Sequence, residues 1–104
     1  MAEFKNVTVK KEANVYFDGK VTSFQVTCEN GEVKTLGVMA EGEYRFNTNA
    51  AEVMEMLSGE FEVKFKDKTE FVKMQTPCEF SVEANSYFDI KITALTNYSC
   101  SYIN

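Results

Sequence analysis

A strict alternation of charged and apolar residues is the feature that most constrains the fold of this chain. Residues 60–66 alternate without exception, and residues 87–93 place Phe88, Ile90 and Ile92 on one face. Successive side chains of a β-strand point to opposite faces of a sheet, so a period of two predicts half-buried strands. Shorter stretches with the same period recur along the 104 residues, which predicts an all-β chain.

Turn signals divide these stretches at short intervals. Asp18-Gly19 and Asn30-Gly31 favour the left-handed backbone of tight hairpin turns, and further turns are predicted at residues 66–68, 85–86 and 96–97. The pattern predicts about eight to ten short strands at a spacing of roughly ten residues, which is typical of a β-sandwich or barrel.

Two segments leave alternatives open. Residues 49–56 contain good helix formers, but residues 53–57 followed by Ser58-Gly59 fit a strand and a turn equally well. Residues 1–13 are expected to form an N-terminal arm or an extra strand. They precede residues 14–104, which we expect to form one domain, since a chain of this length supports no more.

Histidine is absent from the chain, and its absence excludes several kinds of catalytic site. A Ser-His-Asp triad, a Cys-His pair and a metal site built on imidazole all need histidine. Catalysis must then use carboxylates, lysine, tyrosine, cysteine, backbone amides or Arg45, the single arginine. Cys28, Cys78 and Cys100 form no CxxC motif, and their odd number fits a reducing cytoplasm. Each is interpreted as a small core residue.

The formal net charge of −5 argues against a nucleic-acid partner, because nucleic-acid binders usually carry a basic stripe that neutralises phosphates. No apolar run approaches the roughly 20 residues that span a membrane, and the first residues lack the pattern of a secretory signal. We therefore expect a cytoplasmic protein whose partners include neither a membrane nor a nucleic-acid polymer.

Several residue clusters follow one another in a characteristic order. The first is Tyr16-Phe17-Asp18-Gly19-Lys20-Val21. The second is Gly37-Val38-Met39 with Gly42-Glu43-Tyr44, Phe46 and Thr48, and the third is Glu52 and Met54 with Ser58-Gly59. The fourth is Phe80 and Val82 with Ser86 and Phe88, and the fifth is Tyr98, Cys100 and Tyr102. This ordered set resembles the small cupin-type pyrimidine/purine nucleoside phosphorylases of bacteria. The resemblance implies a double-stranded β-helix (jelly-roll) barrel. It also implies a pentosyltransferase of nucleoside salvage that converts purine and pyrimidine nucleosides to free base and pentose 1-phosphate.

The cupin resemblance also bears on metal binding. In the wider superfamily, two motifs supply histidines and a glutamate to a metal ion. Overlaying their spacing puts histidine positions on Glu43, Arg45 and Phe88 and the glutamate position near Glu52. These side chains cannot make an ordinary nitrogen-rich site, and a guanidinium repels a cation. We expect no metal and no cofactor, with inorganic phosphate as co-substrate; Mg²⁺ held by glutamates alone stays an alternative.

Polar site residues follow from what phosphorolysis needs. A guanidinium fork suits phosphate oxygens, so Arg45 is predicted to bind phosphate, together with Lys20 and Lys34. Carboxylates suit the ribose hydroxyls and the positive charge that develops on the sugar. The predicted catalytic residues are Glu43 and Glu52, and Glu41 is predicted to contact the substrate.

The base needs a flat apolar or aromatic wall. Tyr44, Phe88 and Tyr98 are predicted to contact the substrate, as is the hydroxyl of Ser86, while Tyr16 and Tyr102 are further aromatic candidates. The alternation leaves one conflict open. If Glu43 and Arg45 face the barrel interior, Tyr44 and Phe46 face outward and need cover; the opposite arrangement removes the polar site.

Two non-catalytic functions are also compatible with a small barrel, since a fold does not determine a function. One is a binding module for a sugar or a nucleoside-like ligand, and the other is a structural or regulatory protein with a filled interior. A homodimer is expected in any case, because small barrels with apolar outer strands often pair.

Overall fold

The alternating segments form antiparallel strands in the computed structural model, which describes residues 3–103. The strands are β1 (Thr8–Val9), β2 (Asn14–Tyr16), β3 (Val21–Thr27), β4 (Val33–Met39), β5 (Gly42–Asn47), β6 (Ala51–Phe65), β7 (Val72–Met74), β8 (Cys78–Val82) and β9 (Tyr87–Ile103). Within the described residues there is no α-helix, so the strand alternative holds for residues 51–57. Nor does this part of the chain contain a helix long and apolar enough to cross a membrane.

Two long strands, β6 and β9, organise the barrel. The strand order is β1-β3-β4-β9-β6-β7, while β2 pairs with β3, β5 with β9 and β8 with β6. One half of β9 pairs with β5 and the other half with β4, and β6 runs beside both halves. The two sides of the barrel therefore share the same pair of strands. This all-β architecture confirms the predicted fold class.

The turn signals have two different outcomes. The hairpins predicted at Asp18-Gly19 and Asn30-Gly31 are confirmed, since β2 pairs with β3 and β3 with β4 around them. The turn predicted at residues 96–97 is wrong, and so is the turn that the strand alternative placed at residues 58–59, because these residues lie opposite each other inside β6 and β9. The register of the two strands shifts between Met56 and Phe61. Such bulges bend a strand without reversing it, and turn-forming residues serve that bend equally well.

The buried faces follow the period of two. Phe61, Val63, Phe88, Ile90 and Ile92 all belong to the core, which confirms the alternation in β6 and β9. Near the N-terminus, β1 pairs with β3 through Thr8–Thr27 and Val9–Val26. This pairing adds residues 8 and 9 to the sheet as a short strand, while the division into residues 1–13 and 14–104 stays a prediction.

The conflict on β5 is resolved in favour of the aromatic residues. Tyr44 is only 4% exposed, and Phe46 packs against the core and stacks on Phe88 with the ring centroids 5.5 Å apart. Glu43 and Arg45 lie on the exposed outer face. Burying two rings releases far more apolar surface from water than burying a glutamate and an arginine would, and it leaves no charge to compensate.

Candidate functional site

A cavity of about 200 Å³ lies in the barrel interior. Its apolar wall consists of Met39, Phe46, Met54 and Phe88, and polar side chains line the rest: Tyr16, Ser23, Thr35, Asn47, Glu52, Tyr98, Cys100 and Tyr102. Ligand sites commonly combine an apolar wall with a few converging polar groups, so this cavity is the candidate functional site.

Four neighbouring strands bring the polar residues together. On β9, Tyr98, Cys100 and Tyr102 alternate with outward-facing residues, as the period of two predicts. Thr35 of β4 lies opposite Cys100, and Glu52 of β6 lies opposite Tyr102. Ser23 on β3 lines the same cavity and is buried. One inner face thus presents hydroxyls, a thiol and a carboxyl group to the same cavity.

Glu52 is the carboxylic acid of this site. Among the described residues that line the cavity there is no lysine, arginine or second carboxyl group. The Cys100 thiol donates a hydrogen bond to Glu52 Oε1 with a sulfur-to-oxygen distance of 3.5 Å. Burial raises the pKa of Glu52, and this hydrogen bond opposes the shift only in part. The cavity therefore favours the protonated, uncharged form of Glu52 more than water does.

The tyrosines and the cysteine serve as neutral hydrogen-bonding groups. Burial raises the pKa of Tyr98, Tyr102 and Cys100 to about 12 in each case, so all three keep their protons at neutral pH. Tyr98 is buried, whereas Tyr16 and Tyr102 are 48% and 43% exposed and lie at the mouth of the cavity. These two rings can therefore meet a ligand as it enters.

The predicted site residues divide into two groups. Glu52, Phe88 and Tyr98 line the cavity, as do the further candidates Tyr16 and Tyr102. Sequence reasoning missed four polar lining residues, namely Ser23, Thr35, Asn47 and Cys100, as well as the apolar Met39, Phe46 and Met54. Thr35 shares the inner face of β4 with Met39, and Cys100 shares that of β9 with Tyr98 and Tyr102, so the period of two was a usable signal for both.

Arg45 and Glu43 face away from the cavity and contact other side chains. Arg45 donates two hydrogen bonds to Asp89, with Nε–Oδ1 and Nη2–Oδ2 distances of 2.7 and 3.1 Å. Its guanidinium also lies over the ring of Tyr87, 4.2 Å from the centroid. Glu43 Oε1 lies 3.9 Å from Lys91 Nζ. The structure thus gives Arg45 and Glu43 ion pairs on the outer face, and their predicted roles with phosphate and substrate stay predictions.

The remaining predicted residues also lie apart from the cavity lining. Lys34 Nζ donates to Ser101 Oγ at 3.1 Å, and the Tyr44 hydroxyl donates to the Ala40 carbonyl oxygen at 2.7 Å inside the core. Lys20 and Glu41 are exposed next to turns. Ser86 lines a separate surface depression.

The cupin metal positions do not converge on one point. Glu52 and Phe88 face the cavity, whereas Glu43 and Arg45 face outward. Within residues 3–103 no three histidine, cysteine, aspartate or glutamate side chains come together as metal ligands would. One carboxyl group beside a phenylalanine does not fit the nitrogen and carboxylate ligand sets that hold transition metals.

Comparisons with known proteins agree on the family along the whole chain. The family described as pyrimidine/purine nucleoside phosphorylase matches residues 11–102. A relative named pyrimidine/purine nucleoside phosphorylase, from Clostridioides difficile, is 52% identical over 103 residues, which cover 99% of this chain and 98% of the relative.

Solved structures agree with the fold. A protein of unknown function from Acinetobacter sp. ADP1 superposes with a TM-score of 0.94 at 39% identity, covering 97% of this chain and 98% of that one. A cupin superfamily protein from Desulfitobacterium hafniense superposes with a TM-score of 0.57 at 15% identity, covering 100% of this chain and 84% of that one. At that identity the likeness extends to the cupin fold alone.

Proposed function

Because this chain belongs to the pyrimidine/purine nucleoside phosphorylase family, we propose that it catalyses the phosphorolysis of purine and pyrimidine nucleosides. The products are the free base and pentose 1-phosphate, and inorganic phosphate is the co-substrate. The observation that carries the proposal is the match to named phosphorylases along essentially the entire chain. The barrel cavity is where we propose that the reaction takes place.

The cavity's size and lining support a binding mode in which one part of the nucleoside lies inside the cavity and another part lies at its mouth. Its volume of about 200 Å³ is below the roughly 300–1,000 Å³ of sites that enclose drug-sized ligands, so part of the substrate extends to the mouth. There the exposed rings of Tyr16 and Tyr102 can stack on a purine or a pyrimidine alike, because every base has a flat π-face. Stacking discriminates little between one base and another, which suits a broad substrate range.

In the proposed phosphate site, neutral hydrogen-bond donors bind the phosphate in place of lysine or arginine side chains. The described cavity lining contains no lysine or arginine, so we assign phosphate and ribose to the hydroxyls of Ser23, Thr35 and Tyr98 and the amide of Asn47. Donors fixed on strands cost no reorganisation during the reaction. Holding phosphate against C1′ supplies a further part of the rate through proximity. The proposed reaction needs no metal ion.

A homodimer in the cytoplasm is the proposed setting. Phe24 of β3 and Leu36 of β4 occupy the outer face of the sheet with 42% and 39% of their surface exposed. Exposed apolar residues at neighbouring strand positions support a contact with a second copy. The net charge of −5 supports small nucleosides, rather than a nucleic-acid polymer, as partners.

The test is base release from purified protein treated with EDTA. Uridine, adenosine and guanosine are incubated with and without phosphate, and free base is separated by chromatography. We expect release that requires phosphate and persists in EDTA. Release that is independent of phosphate would indicate hydrolysis instead. No release from any of the nucleosides, even after divalent metals are restored, would overturn the enzymatic proposal.

A further inference from the structure

The charged groups in the cavity determine which protonation state of Glu52 is compatible with bound phosphate. Phosphorolysis brings an anionic phosphate into a cavity of about 200 Å³ whose described lining contains one carboxyl group and no cation. Two anions confined at short range and shielded from water repel each other strongly. Binding of phosphate therefore favours the uncharged form of Glu52.

The contacts of Glu52 fit a carboxylic acid with a fixed orientation. The Cys100 thiol donates to Oε1, which leaves Oε2 as the oxygen that can carry a proton. The other titratable groups facing this region are Tyr98 and Tyr102 of β9 and Tyr16 of β2. The neighbouring residue on β8, Val82, is apolar. No group in this set is a base that would remove the proton from Glu52 at neutral pH.

We propose that Glu52 is the general acid of the reaction, protonating the leaving base, and that Cys100 is a positioning residue that orients it. This inference rests on the proposed phosphorolysis and departs from a role for Glu52 as a carboxylate that stabilises positive charge on the sugar. A positioned acid typically contributes 10²–10⁴-fold to a rate.

The proton balance closes without any further reactant. The bond between C1′ and the base nitrogen breaks, and its electron pair stays with the base. An oxygen of hydrogen phosphate forms the new bond to C1′, and the proton of Glu52 passes to the base. The pentose 1-phosphate then gives up the proton that hydrogen phosphate brought, and this proton restores Glu52. Nothing is oxidised or reduced.

The decisive experiment compares leaving groups of different acidity in the Glu52→Gln variant. Uracil leaves poorly as an anion and needs the proton, whereas 5-nitrouracil is a far more stable anion and needs it much less. We expect Glu52→Gln to lower kcat/KM for uridine by about a hundredfold and for 5-nitrouridine by less than about fivefold. The matched control is Glu55→Gln, three residues along β6 and lining a different depression, which should change neither value.

The pH profile of the wild-type protein tests the same point without a variant. If the acid form is required, kcat/KM for uridine falls as pH rises through the pKa of Glu52. The hydrogen bond from Cys100 lowers that pKa, so Cys100→Ala should move the fall to higher pH, which a purely structural role would not do. Cys100→Ser, which keeps a donor, should restore the wild-type position.

The outcomes separate this inference from the proposed function. No base release by the wild-type protein would overturn the function itself. Base release with equal losses for uridine and 5-nitrouridine in Glu52→Gln would leave the function standing and overturn the acid role. A wild-type profile for uridine that is flat, or that rises with pH, would overturn it as well. An unshifted profile in Cys100→Ala would remove the positioning role of the thiol.

Discussion

At the residue scale, the bidentate pair between Arg45 and Asp89 is a stabilising contact with a defined pH dependence. Asp89 is largely buried, and Lys64 Nζ also lies 3.7 Å from its Oδ2. The hydrogen bond from Arg45 outweighs the effect of burial and lowers the pKa of Asp89. A carboxyl group whose pKa is depressed on folding adds stability above its unfolded pKa of about 3.9. That stability is lost as pH falls through the folded-state pKa.

We predict that Arg45→Met lowers the free energy of unfolding at pH 7 and makes its decline below pH 4 shallower than in the wild-type protein. Urea unfolding followed by circular dichroism between pH 2.5 and 7 measures both effects. Lys73→Met is the control, because its ion pair with Glu60 is long and exposed. Parallel acid profiles for wild type and Arg45→Met would contradict the prediction. The KM for phosphate, measured alongside, reports whether Arg45 also reaches the co-substrate.

At the element scale, the bend shared by β6 and β9 depends on one glycine. Gly59 has a φ of +115°, and a Cβ at this position would lie 2.6 Å from the carbonyl oxygen of Leu95. Any other residue would be strained at this positive φ. Its Cβ would also clash with a backbone atom that cannot move aside easily. This bend joins the two halves of each long strand, and the second half of β9 carries the polar cavity residues Tyr98, Cys100 and Tyr102.

We predict that Gly59→Ala destabilises the fold by about 2–4 kcal/mol, since strain of about 1–3 kcal/mol is joined by a steric clash. Gly31→Ala is the matched control, because Gly31 also has a positive φ, of +90°, but a Cβ there meets no atom within 4 Å. It should cost only the strain. Denaturant unfolding of both variants measures the difference, and equal losses would mean that the close approach at the bend has no energetic consequence.

At the scale of the whole molecule, the strands could be predicted from the alternation of residues in the sequence. Which face of each strand points into the barrel could not. On β5 and the first half of β9 the apolar face lies inside, as the core requires. On β3 and β4 the inner face carries Ser23 and Thr35, while Phe24 and Leu36 point outward. A polar cavity therefore inverts the usual pattern over part of these strands, beside Val21 and Met39, which lie on the same faces and belong to the core. The cavity-lining residues Ser23 and Thr35 were therefore missed, whereas the selected Glu43 and Arg45 lie on the outer face, where their functional roles stay predictions.

The same inversion leaves an apolar outer face that needs cover. Phe4 lies with Leu36 and Leu57 around a depression of about 200 Å³ on this face, so the N-terminal segment covers part of it. Phe24 and Leu36 keep a large exposed fraction even so. A second copy of the chain supplies the remaining cover in the homodimer that we propose, since identical apolar patches can bury each other across a two-fold axis.

We predict that Leu36→Lys converts the dimer to monomers, because the dimer contact would then bury two unpaired charges. Size-exclusion chromatography with light scattering measures the mass at micromolar concentration, and circular dichroism checks that the fold is retained. Val72→Lys on β7, which is also exposed, introduces the same charge on the opposite half of the barrel and should leave the mass unchanged. A wild-type protein that is monomeric throughout, or a Leu36→Lys variant that stays dimeric, would exclude this face as the interface.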